Sequence, residues 1–281
     1  MKRFWTVACA MAATVLGTAL FTACGGAGIG LDAVPMPQAD LVGAVHPQSM
    51  RDARFWTAVA EVAERQSAGV GESTWEQFAF IRGVLERTDL TVDDLLEIRI
   101  AGRTDQGGFR PLTGFRLAKG LTPEATIDVL SALAEEYDRP VDITEVEHPA
   151  GKILQVQTRA GQDLESVWIG FAPGGTVIFQ GVEAEVLAAM DRLDSGSPAP
   201  LGDELARVSG TADPDVQAWL AYTVSEPQRD DIAGMLDITG APAPVQGLVD
   251  SLDGLTAALV EFRAEDRMEV RLNWFFDGEA R

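Results

Sequence analysis

The stretch Arg267-Met-Glu-Val-Arg-Leu-Asn-Trp-Phe-Phe276 decides the fold class. Met268, Val270, Leu272, Trp274 and Phe276 alternate with Glu269, Arg271 and Asn273. Successive side chains of an extended chain point to opposite sides, so this alternation sets an apolar face against a polar one on a single strand. Leu255 to Arg263, just upstream, reads as a second long strand of the same sheet.

The pattern recurs nearer the N-terminus. From Glu97 to Arg103, Ile98 and Ile100 point one way and Glu97, Arg99 and Arg103 the other, the mark of a half-exposed antiparallel strand. Gln106-Gly107-Gly108 turns the chain and Pro111 to Lys119 returns. Asp40 to Val45 precedes these as a short buried strand. Two helical segments follow it, one carrying Phe55, Val59, Val62 and Ala63, the other running from Trp75 to Leu85 with Phe78 and Ile81 on its apolar face. The C-terminal region repeats this order: a strand over Val216 to Val224, helical segments over Pro227 to Leu236 and Val245 to Leu252, then the two long strands. Leu96-Glu-Ile-Arg-Ile100 with Phe115-Arg-Leu117 matches Leu259-Val-Glu-Phe-Arg263 with Val270-Arg-Leu272 in pattern. The expectation is an α+β fold of two related half-repeats, strand-helix-helix-strand-strand, with mainly antiparallel sheets and the second repeat truncated.

Between the repeats, Thr122-Pro123 starts a helix with a capping hydroxyl and a proline at its first position. Ile127, Leu130, Leu133 and Tyr137 form its stripe. Strands are predicted over Val141 to Glu147, Lys152 to Arg159, Ser166 to Phe171 and Thr176 to Gln180, with turns at Pro149-Ala-Gly151 and Pro173-Gly-Gly175. Val182, Val186, Met190 and Leu193 mark a further helix. The composition breaks at Ser195-Gly-Ser-Pro-Ala-Pro200, which places a first lobe at 39–195 and a second, shorter one at 196–281.

Met1-Lys2-Arg3 followed by an uncharged run from Phe4 to Leu20 has the build of a secretory signal, spanning residues 1–23. Phe21-Thr-Ala-Cys24 resembles the bacterial lipobox, although Phe at its first position is less usual than Leu. That resemblance implies lipidation at Cys24 and cleavage before it. It places the body in the cell envelope: the periplasmic face of the outer membrane, or the external face of the cytoplasmic membrane where there is no outer one. Gly25 in place of Asp after the cysteine leans toward the outer membrane. Residues 24–38, rich in Gly and Pro, read as a flexible tether; their glycines lack GxGxxG spacing and follow no strand, so they are no dinucleotide loop. The body loosely resembles uncharacterised secreted bacterial proteins built of tandem ferredoxin-like lobes.

The net charge of −21 opposes nucleic-acid binding, which depends on neutralising phosphates with Lys and Arg. Of the two cysteines Cys9 lies in the signal, so the mature chain has no internal disulfide and no CxxC site. GxSxG, HExxH, SxxK and P-loop motifs are absent from the sequence. His46 and His148, the only histidines, have no ligand-spaced neighbours, and Asp93-Asp94 and Asp191/Asp194 lack calcium-loop spacing. No cofactor, metal or catalytic residue is expected. Trp168 and Trp274 are the candidate ligand-stacking residues, the latter sharing its face with Leu272 and Phe276. These features suggest a non-catalytic envelope lipoprotein with a binding or assembly role, its partners being membrane lipid through Cys24 and an envelope protein or small ligand. The alternatives are a carrier of a hydrophobic ligand between sheet and helices, and an enzyme with a non-local site.

Overall fold

A computed structural model describes residues 31–34, 36, 38–47, 87–105, 108–136, 140–160, 163–197, 201–229 and 254–277. Ten strands are described: β1 (Leu41–Val45), β2 (Leu95–Asp105), β3 (Gly108–Leu117), β4 (Val141–His148), β5 (Gly151–Ala160), β6 (Asp163–Phe171), β7 (Val177–Gly181), β8 (Ala218–Thr223), β9 (Leu255–Ala264) and β10 (Met268–Phe276). They form one sheet in the order β10-β9-β8-β1-β2-β3-β7-β6-β5-β4. Every neighbouring pair is antiparallel. The molecule is therefore α+β, and its strands fall where alternation and turn residues predict them.

The sheet does not stop at the composition break near residue 195. β1, from the first expected lobe, pairs with β2 on one side and with β8, from the second, on the other. The Ser/Pro-rich segment thus joins a helix to a helix over a continuous sheet, and the two expected lobes share one sheet.

Both faces are covered. α1 (Pro123–Glu136) lies over β4 and β5 on one face, where Leu130 joins Leu154, Val156, Phe171 and Ile178 in a buried cluster. On the other face, α2 (Glu183–Ser195) packs on β6 and β7, and α3 (Asp203–Ser209) on β8 and β9. Val186, Met190, Leu205 and Val208 are buried there with Leu112, Phe179, Ala221 and Leu259. α3 has no counterpart in the sequence reading; it is only seven residues long, too short for a periodic signal. α2 ends at Gly196, whose left-handed conformation (φ 64°) lets its N–H bond back to the last carbonyls of the helix.

Two expectations need correction. The tether assigned to 24–38 is not flexible over its second half: Leu31, Val34 and Met36 are buried in the main core, and Leu31–Ala33 forms a 3-10 turn against α2 and β3. Its composition misleads because a strap held by three apolar side chains needs no periodicity. Second, the polar face of β2 is only partly solvated: Arg99 and Arg103 keep access to water, but Glu97 does not. Glu97 is buried, since β2 is flanked on both edges and Arg99 and Arg116 close over its carboxylate. The helical segments expected over 55–63, 75–85 and 245–252, and residues 230–236 of the Pro227 segment, lie outside the described residues, as do the signal, Cys24 and Tyr137.

Candidate functional site

The first feature that positions a function is the strap. Its side chains fill a hollow that small residues leave in the sheet: a Cβ at Gly114 would overlap the Val34 and Leu31 side chains. Polar contacts then fix its ends. Arg192 Nε donates to the Ala33 carbonyl (2.9 Å), the Thr104 N–H donates to Asp40 Oδ2 (2.5 Å), and Arg103 Nη1 donates to Gln38 Oε1 (3.4 Å). Arg103 also forms an ion pair with buried Glu185 of α2 (2.8 Å). Burial holds the pKa of Arg192 below its ordinary value, against the pull of Glu185 and Asp191. The strap is thus latched on both sides by arginines held in the core face.

The second feature is a carboxylate–arginine arrangement that occurs twice. On β2, Glu97 lies opposite Arg116 of β3; Arg116 Nη2 donates to Oε2 (2.6 Å) and Arg99 Nε to Oε1 (2.8 Å). On β9, Glu261 lies opposite Arg271 of β10, 3.6 Å away. The Asp213 N–H donates to Glu261 Oε1 (2.7 Å) and Asn273 Nδ2 to Oε2 (3.1 Å), while Asp213 itself pairs with Arg263 (3.2 Å). A cleft of about 220 Å³ opens beside this second cluster, lined by Val216, Glu261, Arg263, Glu269, Val270 and Arg271. Glu261 is only 4% exposed, and both its oxygens accept hydrogen bonds. Its carboxylate thereby ties β9 to β10 and to the Asp213 turn. Sequence reading registered the repeated Glu-apolar-Arg as a strand pattern but not as ion pairs, because cross-strand register is invisible in one sequence.

The residues singled out from the sequence separate. Trp168 is 9% exposed and packs in the core beneath α2, so it is no stacking platform. Trp274 is half-buried against Val224 and Leu255. Its face on β10 is otherwise open: Met268, Val270, Leu272 and Phe276 are exposed, Val270 by 51%. His46 and His148 do not meet. The Ala150 N–H donates to His148 Nδ1 (3.1 Å), so the ring's proton sits on Nε2, which donates to Asp191 on α2 (3.2 Å). That contact pins the β4–β5 turn to α2. Asp94 caps its own turn, accepting from the N–H and the hydroxyl of Thr91 (2.7 and 2.8 Å); these bonds, with Lys119, hold its pKa below the ordinary carboxylate value. No group of three or more metal-ligating side chains occurs among the described residues.

His46 gives a pH prediction. Burial lowers its pKa from the ordinary 6.5; neighbouring Glu97 opposes the shift, and Arg99 and Arg116 reinforce it. The unfolded chain then takes up this proton first as pH falls. The stability His46 contributes is present above about pH 6.5 and is lost as pH drops through the lower folded value. Urea midpoints at pH 7.5 and pH 5 should converge in His46→Gln relative to the parent; an unchanged gap would show that His46 plays no part in it.

Fold and site together define an α+β protein with one wide antiparallel sheet, an N-terminal strap latched into its core, and an apolar ribbon left open on its last strand. No protein-family model matches the chain, and no curated protein matches it. Among solved structures it is similar to crystal form III of TP0453, with a TM-score of 0.48 and 12% identity over 91% of this chain and 83% of that one. Crystal form I of TP0453 gives 0.47 and 13% over 91% and 82%. At that level the likeness adds nothing to the chemistry of the site.

Proposed function

We propose that this chain is a non-catalytic, lipid-anchored protein of the cell envelope whose body serves in binding or assembly. The observation that carries this reading is the strap. Only six residues, a span of seven steps, separate Cys24 from Leu31, which is buried in the core. At about 3.3–3.6 Å per residue they reach no further than roughly 25 Å. An acylated Cys24 would therefore hold the sheet close to the bilayer in a restricted orientation, an arrangement suited to docking. The charged lining of the cleft beside Glu261 does not suit a hydrophobic ligand, and the engaged carboxylates do not suit catalysis.

The architecture adds a second part to this reading: β1-β2-β3 and β8-β9-β10 are the two related halves. Each is a three-stranded antiparallel meander, the two meet at β1 and β8, and each carries a buried Glu with a cross-strand Arg. The ion pairs are offset in register, since Glu261 lies opposite Trp219 within β8 whereas Glu97 precedes Ile98, the partner of the last residue of β1. The relation is one of topology and pairing chemistry.

Mass spectrometry of protein extracted from membranes is expected to show an acylated N-terminal Cys24. Cys24→Ser should move the protein to the soluble fraction, because two acyl chains supply the stable anchoring that a single weak contact cannot. An unmodified Cys24, or a Cys24→Ser variant that stays with the membrane, overturns the proposal.

A further inference from the structure

The two ends of the sheet differ in a way that points to a partner. Among the described residues β4 closes one end, and it exposes Asp142 on one face and Glu145 and Glu147 on the other, carboxylates that disfavour the approach of another strand. β10 closes the other with the opposite character. Its exposed face carries Met268, Val270 and Leu272, and its second face carries Glu269 and Arg271, one charge of each sign. The third strand of the first meander, β3, is not an edge at all: its outer side receives β7 antiparallel, beginning with the Leu117 N–H to the Thr176 carbonyl.

Backbone parity shows which groups β10 offers. The Gln217 N–H donates to the Phe262 carbonyl and the Ala264 N–H to Gln217 Oε1, so these residues of β9 turn toward β8. The alternate residues Arg263 and Glu261 turn toward β10, opposite Glu269 and Arg271. The backbone N–H and C=O groups of Met268, Val270 and Leu272 therefore point out of the sheet, on the residues whose side chains are exposed.

We infer that β10 is the docking edge for a second copy of this chain, the two β10 strands pairing antiparallel with Val270 opposite its own counterpart. In this register Met268 faces Leu272 of the partner subunit, and these are hydrogen-bonded positions, matching the outward groups. Glu269 then faces Arg271 of the partner subunit, and the twofold repeats the pair. Centring the contact on Arg271 would set that arginine against itself. Centring it on Leu272 would set Glu269 against Phe275 and lose both ion pairs. Among the described residues Glu269 has a solvent-exposed contact with Arg267 (3.2 Å), and Arg271 stands 4.0 and 3.6 Å from Asp213 and Glu261, so Glu269 can turn to a new partner and Arg271 can share a second carboxylate without leaving Glu261. A single sheet then crosses both bodies. The proposal deepens the assembly reading but does not need the lipid.

The test uses the full chain in its membranes. Val270→Cys should give a disulfide-linked dimer on a non-reducing gel, because facing Cα atoms about 5.5 Å apart lie within disulfide reach. Leu272→Cys should not, since four residues of strand, about 13 Å, separate it from its counterpart. Adding Glu269→Arg to Val270→Cys should weaken the dimer about tenfold or more, as two favourable cross-strand pairs become two repulsive ones. Glu269→Gln, which removes the attraction without adding repulsion and leaves the Arg271–Glu261 pair in place, should weaken it less. Absence of the Val270→Cys dimer, equal linkage at Leu272→Cys, or indifference to Glu269→Arg overturns the proposal. So does a Cys24→Ser protein that stays monomeric while Val270→Asp abolishes its binding to phosphatidylcholine–phosphatidylglycerol vesicles, for lipid would then cover the ribbon. A disulfide dimer in the parent chain would report a free Cys24 and count against the anchor alone.

Discussion

Val34→Asp is expected to destabilise the body by about 3–5 kcal/mol and to expose the strap to protease. Val34 is 0% exposed, and its side chain fills the space above Gly114. Full burial of such a side chain contributes about 1.5–3 kcal/mol. A carboxylate in its place must either be desolvated without a partner or force the strap out, which also strips Leu31 and Met36 from the core. For a domain of this size the loss corresponds to a fall in thermal midpoint of about 10 °C or more. Limited proteolysis should cut between Cys24 and Asp40 in the variant at protease levels that leave the parent intact. Gly114→Val approaches the same contact from the sheet side and should produce the same cut. If residues 31–36 were a free tether, Val34→Asp would fall within about 0.5 kcal/mol of the parent, as surface changes do. That result would also remove the main support for a restricted orientation at the membrane.

Much of the fold was legible in the sequence because a strand's signature is local. Met268 to Phe276 and Glu97 to Arg103 carry a period of two, and Pro149-Ala-Gly151 and Pro173-Gly-Gly175 mark where the chain reverses. Thr122 does what its position predicts, accepting the Ala125 N–H at its hydroxyl (3.2 Å) to start α1. What the sequence hid is long-range. That β1 joins β8 depends on strands more than 170 positions apart, and no pattern within either announces it. The strap was hidden because Leu31, Val34 and Met36 are scattered among Gly and Pro, and only the hollow at Gly114 gives them a site. Trp168 and Trp274 show the same limit in reverse: both alternate correctly, but which face is covered is set by α2 over one and by the sheet's end beside the other.

The Glu97 cluster yields the second large effect, and it separates an ion pair's worth from the cost of breaking it. Glu97→Ala is expected to cost about 3–5 kcal/mol, toward the lower end because Arg99 keeps partial access to water. Arg116 has no such outlet: its side chain is 11% exposed, and its guanidinium would remain buried without its carboxylate. Replacing both partners, as Glu97→Met/Arg116→Met, removes the stranded charge with the broken bond and keeps comparable volume. That double variant should recover most of the loss, since an apolar pair in place of a buried ion pair is often neutral or better. Urea denaturation of the parent, both single variants and the double variant gives the coupling directly. Raising the salt concentration should change the coupling little, because a pair inside the protein is screened far less than one in solvent. The exposed Arg267–Glu269 contact, worth at most about 1 kcal/mol, supplies the comparison in the same molecule. Additive single losses would show that Glu97 and Arg116 act independently, and would leave the β2–β3 register to be explained by apolar contacts alone.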